Sequence, residues 1–231
     1  MDPQGSLEGL TPRRDRVRER ALTVLLVTEA LAIFALVPAT GMPMYVLRTA
    51  EAPLAFLLAL AIVTAIARGR IALMLTFAAV VAGIAADLFR YESPSALSTS
   101  IFLFAVLACL FILSGVVANV VFGGGLVTAH RIRGAVVLYL HIALIFTFLQ
   151  ALVLFFLPGA FGETLVATDP TVGGKLLYFS FTTLTTVGYG DIVPVHPYAR
   201  SIANLEAICG QLYPATLLAR VVTLSIASRQ G

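Results

Sequence analysis

Seven residues, Thr185-Thr186-Val187-Gly188-Tyr189-Gly190-Asp191, carry the clearest chemistry in the chain. The backbone carbonyls of Thr186, Val187, Gly188 and Tyr189, with the Thr186 hydroxyl, can replace the water around a monovalent cation. For successive carbonyls to point the same way, alternate residues must adopt unusual backbone angles, which Gly188 and Gly190 allow without steric cost. The chain holds one such loop, and a single loop cannot surround an ion. Four copies around a symmetry axis can, so a homotetramer is implied.

Such a loop needs a scaffold, and the composition states its kind. Of 231 residues, 59% are hydrophobic and 12% charged, with a mean hydropathy of +0.98. A soluble domain of this size needs more polar surface, so the class is an integral membrane protein. The net charge of +3 is no nucleic-acid signal, because the basic residues sit at the ends of apolar runs; that is the pattern of membrane orientation. Cys109 and Cys209 lie inside apolar runs and read as small buried hydrophobes rather than a disulfide.

A spanning helix needs about 20 apolar residues. Six runs qualify: 21–39, 52–67, 71–86, 97–122, 135–157 and 198–227. The third is expected to close at Asp87 and Arg90, the fourth at Gly123-Gly124-Gly125, the fifth at Pro158-Gly159. Arg13, Arg14, Arg16, Arg18 and Arg20 before the first run mimic a signal peptide, but Glu29 and the run's length argue for a retained span. With the N-terminus inside, those five join Arg68, Arg70, Arg131, Arg133, Arg220 and Arg229 on the cytoplasmic side. Only Arg48, Arg90, Lys175 and Arg200 remain outside, and even parity agrees, so both termini are expected in the cytoplasm of an inner-membrane protein.

The run 175–185, between spans five and six, is apolar, aromatic and rich in hydroxyls. As a helix it is roughly 16 Å long, about half a bilayer. A re-entrant helix that returns as an extended loop fits that length, and irregular backbone at this depth must be buried in protein or line a wet cavity.

The string contains TVGYG, the pattern by which potassium filters are known. Residues 135–227 resemble the outer helix, pore helix, filter and inner helix of the potassium-channel family. The resemblance implies an all-α membrane protein: six transmembrane helices with a re-entrant pore helix and filter loop, assembled as a tetramer. The expected division is a basic N-terminus 1–20, a four-helix domain 21–134 and a pore domain 135–231. Within the last, the outer helix is 135–157, the pore helix about 174–185, the filter 186–190 and the inner helix 198–227. The implied function is passive, selective potassium conduction, with K+ at Thr186, Val187, Gly188, Tyr189 and Gly190. By analogy Asp191 and Tyr189 brace the filter from behind, with Tyr178 and Phe179 as aromatic partners. Where some relatives carry a carboxylate on the pore helix opposite the aspartate, this chain has Thr182.

Gly210 stands where the family's inner-helix hinge is expected, and the local sequence has its own reason for a bend. Pro214 lacks an N–H and its ring clashes with the Gly210 carbonyl four residues back. Ionisable residues inside spans are functional candidates by default. Glu206, at the depth of the pore helix, is expected to hydrogen-bond Thr182 or Thr183, or else to add negative potential near the cavity. Glu29 of span one is expected to pair with His141 of span five.

Voltage-gated relatives carry arginines along the fourth helix, each charge worth about 2.3 kcal/mol per 100 mV. Residues 97–122 contain no Lys or Arg, and Arg131 and Arg133 are expected in the following loop. Conventional voltage sensing therefore has no engine, and spans one to four read as a packing collar. Little chain follows Ala227, so no large regulatory domain is expected there. No cofactor is expected, and no metal-ligand spacing, nucleophile elbow or phosphate loop supports an enzyme. The alternatives are a weakly selective cation channel, a potassium-uptake transporter subunit, or a non-conducting protein that keeps the fold.

Overall fold

A computed structural model describes residues 11–36, 70–93, 95–123, 129–167, 169 and 171–230. Among these residues every regular element is helical. In chain order they are α1 (Thr11–Leu31), prolonged by a π-helical turn (Ala32–Leu36), α2 (Arg70–Glu92), α3 (Ala96–Phe122), α4 (Ala129–Phe156), α5 (Val172–Leu184) and α6 (Pro197–Gln230). The expected second span, 52–67, lies outside the described residues.

Among the described residues, two stretches are long and apolar enough to cross a membrane, Ala96–Asn119 in α3 and Arg131–Phe156 in α4. Only 28% of the first is buried within the chain, against 56% of the second. The apolar surface of α3 is therefore left for an apolar environment, with Leu97, Phe104 and Phe111 all more than half exposed. Ser95 starts α3 by a capping box: its hydroxyl accepts from the Ser98 N–H at 3.1 Å, and the Ser95 N–H donates to the Ser98 hydroxyl at 2.9 Å. Two of the four orphan N–H groups of the first turn region gain partners this way.

Two expected boundaries move. Asp87 and Arg90 do not end α2, which runs on to Glu92. They pair across one turn at 2.8 Å, and the Arg90 guanidinium lies 4.2 Å from the Phe102 ring centroid, so the charges satisfy each other on the helix. Arg131 and Arg133 lie in α4 rather than in a loop. Gly134 lets α4 approach α3 closely, since a Cβ there would stand 2.9 Å from Val121 Cγ2. Arg133 reaches across to the Thr23 hydroxyl at 3.1 Å.

Helix α4 is the shared wall. It packs against α3 and α1 on one side and against α5 and α6 on the other. Val117, Val121, Ala135, Val137 and Leu138 form a buried cluster onto which Leu25, Leu26, Tyr213 and Leu217 pack, joining α1, α3, α4 and α6. Toward the other end Leu154, Phe161, Leu165, Leu176, Phe179 and Ala203 tie α4, the following loop, α5 and α6 together. Arg220 of α6 donates to the carbonyls of Phe122 (2.8 Å) and Gly123 (3.1 Å). A cation there suits the unpaired carbonyls and negative dipole end of α3.

Candidate functional site: a helix-supported loop of alternating backbone hand

Helix α5 is 13 residues long, about 20 Å at 1.5 Å per residue, so it reaches into a bilayer without crossing it. Its first turn is held by Asp169, whose carboxylate accepts from the Thr171 N–H (2.8 Å), the Thr171 hydroxyl (2.7 Å) and Lys175 Nζ (2.6 Å). The Lys175 bond, then those from Thr171, hold this carboxyl down to about 2. Leu176, Leu177, Phe179, Ser180 and Leu184 form the buried face of α5.

The chain leaves α5 at Thr185 and enters the loop. Thr186 (φ 59°), Gly188 (φ 53°) and Gly190 (φ 81°) have left-handed backbone, whereas Val187 and Tyr189 between them do not. In ordinary extended chain successive carbonyls alternate sides; reversing the hand at every second residue turns them toward one side. Two of the three reversals fall on glycine. The third falls on Thr186, where a Cβ makes this conformation uncommon and strained.

Three contacts hold the loop on α5. The Thr185 and Thr186 N–H groups donate to the carbonyls of Phe181 (3.0 Å) and Thr183 (2.9 Å), and the Gly188 N–H donates to the Thr182 carbonyl (3.1 Å). Thr182 and Thr183 thus meet the loop through their backbone. The Thr182 hydroxyl turns back to the Phe179 carbonyl at 3.0 Å. The Tyr178 ring stacks on that of Tyr189 at 6.1 Å with an interplanar angle of 1°, and Asp191 lies near the Tyr178 hydroxyl.

Phe179 departs from the expected aromatic brace. It turns into the core and meets Phe161 edge-on at 5.3 Å. Consecutive helical positions lie about 100° apart, so 178 and 179 point in different directions. Glu206 also departs. Fully buried, its Oε1 meets the Ser180 hydroxyl rather than Thr182 or Thr183. Ser180 donates to the Ala143 carbonyl at 2.7 Å as well, which ties α5 to α4 and α6. A serine hydroxyl has one proton, so both contacts are satisfied when the Glu206 carboxyl brings its own.

Gly210 has a packing reason to be glycine. A Cβ there would stand 1.8 Å from the Leu184 carbonyl oxygen and 2.7 Å from its carbon. Helix α6 therefore crosses against the backbone at the end of α5. Pro214 lies inside α6 one turn further on. Gly210, Pro214, Tyr139, Leu184, Thr185 and Gln211 line an open recess below the loop, of about 420 Å³. Gln211 belongs to this site as well, and its signal in the sequence is an amide within the mostly apolar stretch 207–218. Its Nε2 donates to the Thr186 hydroxyl at 2.9 Å.

In the collar, His141 Nε2 lies 3.4 Å from Glu29 Oε1, and His141 Nδ1 lies 3.2 Å from the Ser114 hydroxyl. The imidazole thus bridges α1, α4 and α3 inside the apolar packing. Both cysteines are free.

A family model matches the part of the chain that holds the loop. Residues 142–226, from within α4 through α5 and the loop into α6, match a family model described as ion channel. A stretch of 53 residues is 36% identical to the inward rectifier potassium channel Kirbac3.1 of Paramagnetospirillum magnetotacticum. That stretch spans 23% of this chain and 18% of the relative, so the chain covers under a fifth of the curated protein it matches. No solved structure matches. The comparisons point to a channel rather than an enzyme: over its C-terminal part the chain is similar to ion channels, and over a shorter stretch to a potassium channel.

Proposed function

We propose that the chain is the subunit of a homotetrameric, potassium-selective channel in the bacterial inner membrane, with six spans and both termini in the cytoplasm. Conduction is passive, through the backbone carbonyls of residues 186–189 and the Thr186 hydroxyl. The observation that carries this is the alternation of hand at 186, 188 and 190, on a helix too short to span a bilayer.

Three further features support it. The loop from Thr185 to Asp191 is exposed in the single chain, with Val187 53% and Tyr189 70% accessible. At membrane depth such backbone must be covered by protein or line a cavity, and three further copies supply that cover. The carbonyl end of α5 is the negative end of its dipole and lies beside the recess, which favours a cation there. No Lys or Arg lies in α3, so conventional voltage gating is not part of the proposal. Gly210 and Pro214 serve as the bend through which the lower part of α6 splays, since Pro214 leaves the Gly210 carbonyl without its helical donor.

The test is rubidium and potassium flux into liposomes holding the full-length protein, with reversal potentials in mixed potassium and sodium. Gly188→Ala is the control. At φ 53° an alanine costs about 1–2 kcal/mol per subunit in backbone strain. Flux is expected from the wild type and not from the variant. Absent flux, or flux that survives Gly188→Ala, overturns the channel reading. Equal permeability to sodium overturns selectivity and leaves a weakly selective cation channel.

A further inference from the structure

We infer that Gln211 is the positioning residue for the innermost ion site, acting through the Thr186 hydroxyl; the inference rests on the potassium-channel reading. Thr186 alone in the loop combines left-handed backbone with a side chain. Its hydroxyl meets α6, and the staggered rotamers of a threonine still leave that oxygen more than one direction to point. Gln211 Nε2 donates to it at 2.9 Å. The register that allows this comes from Gly210: α6 lies directly against the Leu184 carbonyl, so the next side chain reaches Thr186 across one residue's length.

The chemistry is specific to an amide of this length. A threonine hydroxyl has one proton and two lone pairs. With one lone pair taken by the amide N–H, the rotamer is held and the other lone pair is left for the ion. The group is neutral, so it orients the oxygen without adding charge. The bond is exposed in the single chain, at the edge of the open recess that Leu184, Pro214 and Leu218 help to line. In a fourfold assembly the arrangement repeats as a ring of four oriented hydroxyls at the inner end of the carbonyl path.

Barium block from the cytoplasmic side is the probe, because this divalent ion is close to potassium in size and binds the same oxygens more tightly. Gln211→Leu is expected to weaken block at least about tenfold relative to the wild type. Gln211→Asn, one methylene too short, is expected to behave like Leu. The effect of Gln211→Leu must persist in a Thr186→Ser background, which keeps the hydroxyl, and vanish in Thr186→Ala, which lacks it. A merely structural glutamine gives equal losses in both backgrounds. If Gln211→Leu fails to assemble as judged by size-exclusion chromatography, Gln211→Asn carries the same comparison. Wild-type block in both variants, or equal losses in both backgrounds, overturns the inference while potassium conduction stands. A wild type without potassium current overturns the inference together with the channel reading.

Discussion

Gly210→Ala separates two reasons for a glycine on the inner helix. As a flexible bend, Gly210 could become alanine with little harm to assembly. Removing glycine from a helix interior stabilises it by about 0.8–1 kcal/mol, and only the ease of opening would suffer. As a close-approach residue it could not. The added Cβ would lie 1.8 Å from the Leu184 oxygen, 2.7 Å from its carbon and 3.1 Å from its Cα. All three are backbone atoms at the end of the helix that carries the loop, so no side-chain rotation relieves the clash. Reaching ordinary contact demands a shift of well over an ångström at the base of the loop. Overpacking typically costs about 1–3 kcal/mol, and a backbone clash of this depth belongs at or above the upper end. Net of the helical gain, about 2 kcal/mol or more of destabilisation is expected per subunit, repeated in each copy. The assays are thermal dissociation of the detergent-solubilised assembly and rubidium flux. Gly210→Ala should dissociate at clearly lower temperature and lose flux. A variant that assembles with wild-type stability and differs only in open probability would refute the packing argument and leave the bend.

Other expectations follow from the same contacts. Glu206→Gln keeps a donor for Ser180 and should retain stability, whereas Glu206→Leu leaves Ser180 only its bond to the Ala143 carbonyl and should cost about 0.5–1.5 kcal/mol, read from thermal dissociation. Glu29→Gln and His141→Ala should couple by about 0.5–3 kcal/mol in a double-mutant cycle on stability; additive losses would mean the 3.4 Å approach carries no energy. Asp169 titrates at about 2 rather than its ordinary 3.8. Its stabilisation of the α5 first turn is therefore fully present above about pH 4 and lost as pH falls toward 2. Asp169→Asn should flatten stability against pH in that window, and an unchanged profile would count against the capping role.

The left-handed backbone at Gly188 and Gly190 was legible in the sequence, because glycine advertises that freedom. The apolar stretches were legible for a similar reason, since 20 consecutive apolar residues have few places to go in water. Helix ends were not. Asp87 and Arg90 looked like terminators and Arg131 and Arg133 like loop residues, yet helices run through all four; Asp87 and Arg90 pair one turn apart, and Arg133 bonds the Thr23 hydroxyl of a neighbouring helix. Side-chain direction was equally hidden: Tyr178 and Phe179 are adjacent in sequence, but only the first faces the loop.

Thr186 shows the division most sharply. From the sequence, two glycines could reverse their backbone hand, and a carbonyl ladder followed. That a threonine makes the third reversal, against its own preference, depends on what surrounds it. The Thr183 carbonyl takes its N–H and Gln211, 25 residues away, takes its hydroxyl. Likewise Gly210 is permissive in sequence but is required to be glycine by the Leu184 carbonyl, and Glu206 faces Ser180 through the relative rotation of two helices. Local preferences are written residue by residue. Which distant group removes the strain, fills the space or accepts the proton is decided by how the helices pack.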